Sequence, residues 1–126
     1  MKRLAALAVI LALAACAHEP GREFVVFFPA DDSTVRPSAQ AVISSIATVA
    51  AQSRTLRLEV EGQADGGTPK DADLAVARGR AVVAALTDAG VDPARIDEHP
   101  SPPVAGEVGL AAHKVVVRLV SPDGPR

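Results

Sequence analysis

Three charged side chains in the middle of the sequence can bind a charged ligand if the fold brings them together. Asp65 lies in the glycine-rich stretch VEGQADGG at residues 60–67, and Asp73 and Arg80 follow in a segment with helical periodicity. At about 100° per helical residue, positions seven apart differ by only about 20° around the axis, so Asp73 and Arg80 share a face. That face flanks the apolar stripe of the helix, and we therefore expect Arg80 to emerge beside the loop of Asp65. Two carboxylates and a guanidinium would then offer charge-assisted hydrogen bonds at one edge of the domain.

The same residues also have an ordinary structural interpretation. Aspartate before Gly-Gly is favoured in turns because its side chain bonds nearby backbone amides, and arginine on the flank of a helix is usually solvated. His18, His99 and His113 show no metal-ligand spacing, and no Ser/His/Asp arrangement can be singled out. The residues therefore give no support for an enzyme, and we expect no catalytic residue, metal or cofactor, while the binding and the structural interpretation of Asp65 and Arg80 both stay open at this point.

Apolar periodicity predicts the elements that position these residues. The stretch TLRLEVE at residues 55–61 alternates cleanly and predicts a strand that ends at the Asp65 turn. EFVVFF at residues 23–28 is apolar on both faces, which indicates a strand inside the sheet, and KVVVRLV at 114–120 predicts the final strand. Helical spacing predicts helices over 37–53 and 71–89. The buried stripe of the second helix is expected at Ala72, Val76, Gly79, Val83 and Leu86.

The order of these elements predicts the fold class. With a weaker candidate strand in ARIDEH at residues 94–99, the chain runs β-α-β-α-β-β. Such a chain is expected to form an α+β, two-layer sandwich, in which a mixed sheet carries two helices on one face.

The first residues, MKRLAALAVILALAACA, combine two basic residues, an apolar run and small residues before Cys16. This pattern predicts a signal peptide over residues 1–15, because the run is shorter than the roughly 20 residues of a membrane-spanning helix. LAAC resembles the bacterial lipobox, in which cleavage precedes a cysteine that carries diacylglycerol and an acylated amino group. Cys16 is then the lipidation site and holds the protein on a membrane. The alternative is cleavage after an A-x-A-like site, which leaves an incidental thiol.

Composition limits the chemistry of the mature chain. Cys16 is the single cysteine, which excludes disulfides, thiol catalysis and cysteine metal sites. Removal of Lys2 and Arg3 with the signal leaves 11 basic against 15 acidic residues, which argues against nucleic acid as a partner. Tryptophan and tyrosine are absent, so surfaces that stack on sugars or bases are disfavoured. We divide the chain into the signal peptide at 1–15, a lipidated tether at 16–22, one domain at 23–120 and a flexible tail at 121–126.

The segment from residue 60 to residue 86 resembles the core of the OmpA-like peptidoglycan-binding domain. The pattern of that family runs roughly G-H-T-D, eight residues to N, then L-S-x-x-R-A-x-x-V. Laid on the sequence without a gap, it matches at Gly62, Asp65, Arg80 and Ala81. FFPADDSTVRPSAQAVI at residues 27–43 and HKVVVRL at 113–119 resemble the opening and closing motifs of the family. The resemblance covers about residues 23–120.

The resemblance implies a ligand and a cellular role. Asp65 and Arg80 would hold the two ends of an amino-acid zwitterion, usually the free centre of diaminopimelate in the peptidoglycan stem peptide. Asp73 and Asp31 stand at further polar positions of the pattern and would line the pocket. The implied protein is an envelope lipoprotein on the periplasmic face of the outer membrane, anchored through Cys16 and tethering that membrane to the wall. An envelope protein complex is a further expected partner.

A second function also agrees with this resemblance. Gln63 and Ala64 replace the His and Thr of the pattern, and Pro29 replaces the first Asp of its opening motif. A degenerate domain with these changes would keep the fold as a structural or protein-interaction module without wall binding. Arg80 packed away from Asp65 would favour this alternative.

Overall fold

The computed structural model describes residues 22–66, 68–100, 109 and 112–123. The elements are strand β1 (Arg22–Phe27), helix α1 (Pro37–Gln52), strand β2 (Arg57–Gly62), helix α2 (Pro69–Asp88), strand β3 (Ile96–Pro100) and strand β4 (Lys114–Val120), with a 3-10 turn at Pro93–Arg95. The predicted order and the α+β class, with a mixed sheet and two helices, are confirmed.

Helix α2 begins two residues earlier than the periodicity predicts, because a capping box defines its start. The Thr68 hydroxyl accepts a hydrogen bond from the backbone N–H of Asp71, and the Asp71 carboxylate accepts one from the backbone N–H of Thr68. Pro69 fits the first helical position, where its missing N–H costs nothing. The capping box therefore fixes the start of the helix only a few residues after Asp65.

The four described strands lie in the order β1-β4-β2-β3, with β4 antiparallel to both neighbours and β2 parallel to β3. The prediction that β1 lies inside the sheet is wrong, because β4 takes the interior place and leaves β1 at an edge. Val115, Val116 and Val117 of β4 are all buried, whereas Phe27 at the end of β1 is 51% exposed. Among the described strands β1 pairs with β4 alone, and Val25 lies opposite Val116.

The core lies between the sheet and the two helices. Its buried residues are Val26, Phe28, Ala39, Ile43, Ile46, Ala50, Leu58, Val60, Val82, Leu86, Val91, Val115, Val117 and Leu119. The buried stripe of α2 differs from the predicted one and runs through Ala75, Arg78, Gly79, Val82 and Leu86. Ala72 is exposed, while Val76 and Val83 are only half-buried. The prediction failed because it placed the buried stripe by hydrophobicity alone. The charged Arg78 is buried, and the stripe is therefore rotated away from Val76 and Val83.

A close contact between glycine-containing backbones sets the position of α2 over β2. A Cβ atom added at Gly62 would overlap the carbonyl oxygen of Ala75 and would lie 3.0 Å from the backbone nitrogen of Gly79. Only glycine at residue 62 permits this approach. The contact brings the first half of α2 against the end of β2, where the Asp65 loop begins.

Several sequence-based predictions lie outside the described residues. They are the signal peptide at 1–15, lipidation at Cys16, the tether as far as residue 21, and the last three residues of the tail at 121–126. Arg22, predicted as the end of the tether, already belongs to β1. Within the part of the chain that the structure describes, no helix has the length and apolar character needed to cross a bilayer.

Candidate functional site

Arg78 lies at the centre of the site, and its side chain is fully buried. Its Nε donates to the carbonyl oxygen of Asp32 at 2.9 Å, Nη1 to that of Gln63 at 3.1 Å, and Nη2 to that of Pro29 at 2.9 Å. The guanidinium carbon also lies 5.7 Å from the centre of the Phe28 ring. A single arginine of α2 thus joins the β1–α1 loop to the segment that follows β2.

Nearby carboxylates offset part of the charge of Arg78. Burial lowers the pKa of its guanidinium, and the carboxylates of Asp65, Asp31 and Asp32 act in the opposite direction. Arginine keeps its charge at neutral pH even when buried, and its planar fork of five N–H donors suits several diverging carbonyls. The result is a fixed positive charge beneath a rim of carboxylates.

Asp65 is held from the side of β4. Its Oδ1 accepts a hydrogen bond from the backbone N–H of Gly109 at 2.9 Å, and its Oδ2 lies 3.0 Å from Nε2 of His113. These contacts lower the pKa of Asp65, with the His113 hydrogen bond as the largest cause and Arg78 as a smaller one. The side chain nevertheless remains 43% exposed. Asp65 is therefore an ionised, oriented carboxylate that solvent and ligands can reach.

The structure places Arg78, and not Arg80, beside Asp65. Arg80 is exposed on the other side of α2, and no hydrogen bond or ion pair joins it to Asp65 among the described residues. It lines a separate cleft of about 210 Å³ between α2 and β3, together with Glu98 and His99. The expected convergence of Asp65 with Arg80 is therefore corrected to a pair of Asp65 with Arg78.

Of the other two predicted site residues, Asp31 acts on Arg78 and Asp73 lies on another face of α2. Asp31 is exposed in the β1–α1 loop, has a φ of 55°, and lies 3.7 Å from Nζ of Lys70. Its charge acts on Arg78, so it belongs to the rim of the site. Asp73 is exposed on α2, five residues before Arg78 and therefore about 140° away around the helix. It shares a face with Arg80, as predicted, and faces away from Arg78.

The sequence contains a signal for Arg78 that the ungapped match overlooked. In the family pattern R-A-x-x-V, an apolar residue stands four positions after the arginine. Counted from Arg78 this residue is Val82, which is buried, whereas from Arg80 it is Ala84, which is exposed. The spacing from Asp65 to the arginine is then 13 residues rather than 15, so the loop between them is two residues shorter than the pattern. His113 carried no comparable signal.

The fold agrees with the comparisons to known proteins. The family model described as OmpA family matches residues 27–101, and the chain therefore belongs to the OmpA family. No curated protein sequence matches this one.

Three solved structures resemble the fold. The OmpA-like domain of FopA1 from Francisella tularensis subsp. tularensis SCHU S4 is 18% identical, with a TM-score of 0.69 over 79% of this chain and 72% of that one. The peptidoglycan-associated lipoprotein from Burkholderia pseudomallei is 23% identical, with a TM-score of 0.63 over 76% of this chain and 87% of that one. A periplasmic domain of Helicobacter pylori MotB is 15% identical, with a TM-score of 0.64 over 81% of this chain and 77% of that one. At these identities the likeness shows the fold.

Proposed function

We propose that this domain binds peptidoglycan non-covalently, through a zwitterionic amino-acid centre of the stem peptide such as that of diaminopimelate. The observation that carries the proposal is a half-exposed, ionised Asp65 next to the buried charge of Arg78. Membership of the OmpA family supports it, as does the likeness to a protein named as a peptidoglycan-associated lipoprotein.

The two charges suit the two ends of a zwitterion. Asp65 faces the ligand ammonium, and the exposed carboxylate of Asp31 adds negative potential at the rim. Arg78 is fully buried, with N–H donors on three backbone carbonyls, and it attracts the ligand carboxylate through its positive charge, which the nearby carboxylates offset only in part. Arg78 takes the role that the sequence pattern gave to Arg80, and Asp73 has no role in this site because it faces away.

The proposed cellular role is that of an outer-membrane lipoprotein on the periplasmic side, anchored through Cys16. From Cys16 to the first residue of β1, Arg22, there are six residues. At no more than about 3.5 Å per residue, such a tether spans at most about 20 Å. The domain would therefore meet the wall close to the membrane surface.

A competition assay tests the ligand. Purified domain bound to isolated sacculi is challenged with free diaminopimelate or with cadaverine, which carries the same two ammonium groups and neither carboxylate. We expect diaminopimelate to displace the domain at lower concentration, since only its zwitterionic centres offer both charges to Asp65 and Arg78. Equal displacement by the two compounds would show that the site does not recognise a zwitterion in this way.

A degenerate structural module is the second candidate, and specific observations favour it. Arg78 is fully buried on three carbonyls, both oxygens of Asp65 already accept hydrogen bonds, and Arg80 points away from Asp65. In that case the pair holds loops together and binds no ligand. A folded domain that fails to bind sacculi at any pH would establish this alternative.

A further inference from the structure

His113 is held in a fixed position beside Asp65. It directly precedes β4, its backbone carbonyl accepts a hydrogen bond from the N–H of Phe28 at 2.8 Å, and its own N–H donates to the carbonyl of Gly109 at 3.1 Å. Its side chain is only 13% exposed, and Nε2 lies 3.0 Å from Oδ2 of Asp65. Because an ionised carboxylate has no proton to donate, Nε2 carries the hydrogen of this bond in both the neutral and the charged ring.

The ring therefore has two forms that present the same hydrogen bond with different charges. In the neutral form Asp65 keeps its full negative charge, which remains available to a cation. In the protonated form the imidazolium neutralises Asp65, and a ligand ammonium loses most of its electrostatic attraction to the site.

We propose that His113 determines the affinity of Asp65 for a ligand ammonium, because its own positive charge and that of the ligand compete for the same carboxylate. The proposal rests on the proposed function. Binding from an acidic solution would then release one proton from Nδ1 of His113 to solvent, while the Nε2 hydrogen bond to Asp65 persists.

The other charged groups that act on Asp65 and its surroundings belong to α2 and to the β1–α1 loop. The charge of Arg78, on α2, acts on Asp65, and the charges of Asp31 and Asp32, in the β1–α1 loop, act on Arg78. The pKa of Asp32 is lowered to about 2, chiefly by its hydrogen bond with Arg36, and that of Asp65 is also lowered. A change in binding between about pH 5.5 and pH 8 therefore comes from histidine rather than from Asp32 or Asp65.

The test measures sacculus binding at about pH 5.5 and pH 8 for the parent, His113→Gln and His99→Gln. We expect parent binding to be roughly fivefold to tenfold weaker at the lower pH. His113→Gln keeps an amide N–H donor without a titrating charge, so its affinity should change little with pH. His99 is an exposed histidine of β3 outside this pair, and its variant should follow the parent.

The outcomes separate this inference from the proposed function. If the parent binds equally at both pH values, or if His113→Gln keeps the pH dependence of the parent, the inference is overturned while wall binding stands. If neither parent nor variants bind at any pH, both are overturned.

In the unliganded protein, the pKa of the Asp65 carboxyl measured by NMR should rise in His113→Leu, which removes the donor. An unchanged value would overturn the inference even before a ligand is added.

Discussion

Replacing Arg78 by alanine would remove the donors that hold three backbone carbonyls. These carbonyls belong to Pro29, Asp32 and Gln63, and the bonds measure 2.9, 2.9 and 3.1 Å. A hydrogen bond from a charged donor contributes about 1.5–3 kcal/mol, and part of this is recovered where water can solvate the freed oxygen. Taking about 1–1.5 kcal/mol for each of the three, we expect Arg78→Ala to lower the free energy of unfolding by about 3–4.5 kcal/mol.

Urea unfolding followed by far-UV circular dichroism measures this loss. Helical signal is the suitable probe, because the sequence has neither tryptophan nor tyrosine for fluorescence. For a domain of about 100 residues, a loss of 3 kcal/mol corresponds to a fall of roughly 12 °C or more in the thermal midpoint. Arg78→Lys keeps the charge, but one ammonium cannot reach three diverging carbonyls, so we expect a loss between those of alanine and parent.

Arg80→Ala is the matched control, since Arg80 lies on the same helix and is exposed. Its free energy of unfolding should stay within about 0.5 kcal/mol of the parent. The argument for Arg78 would be refuted if its alanine variant lost less than about 1 kcal/mol, or if the Arg80 variant lost as much.

Two further expectations concern backbone packing and acid stability. Gly62→Ala should destabilise the domain severely, because the new Cβ would overlap the carbonyl oxygen of Ala75, whereas at Gly79 a Cβ meets a flexible side-chain oxygen at 3.4 Å. Gly79→Ala should therefore be much milder, and equal thermal midpoints for Gly62→Ala and Gly79→Ala would contradict this expectation. The pKa of Asp32 is lowered to about 2, so its contribution to stability is complete above about pH 4 and is lost as the pH falls toward 2. In Asp32→Asn the free energy of unfolding should fall less steeply than in the parent between about pH 4 and about pH 2. An equally steep fall in both proteins would show that the Asp32 carboxylate does not contribute to stability.

Local patterns in the sequence were sufficient to predict the elements. Alternation over residues 55–61 predicted β2, and the apolar run at 114–120 predicted β4, because a half-buried strand and a central strand each leave a distinct pattern. The same patterns did not reveal that β4 separates β1 from β2. Strand order depends on contacts between distant segments, which periodicity does not record.

The partners of the site could not be predicted for a related reason. Arg78 bonds to oxygens 15 to 49 residues away, and Asp65 contacts His113, 48 residues away. Charged side chains on helices are ordinarily solvated, so an arginine on the buried stripe of α2 runs against the usual expectation. The ungapped count from Asp65 then selected Arg80, which the structure places on the opposite side of the helix from this pair.

Co-sedimentation of the purified domain with sacculi tests the central claim most directly. Asp65→Asn keeps the shape of the side chain and removes its charge, and we expect it to weaken binding by about 30-fold or more. Glu59→Gln, on the face of β2 that points away from the helices, removes a charge elsewhere and should bind as the parent does. Asp65→Asn that sediments with sacculi as well as the parent would contradict the proposed site, and a folded parent that does not sediment would contradict wall binding itself.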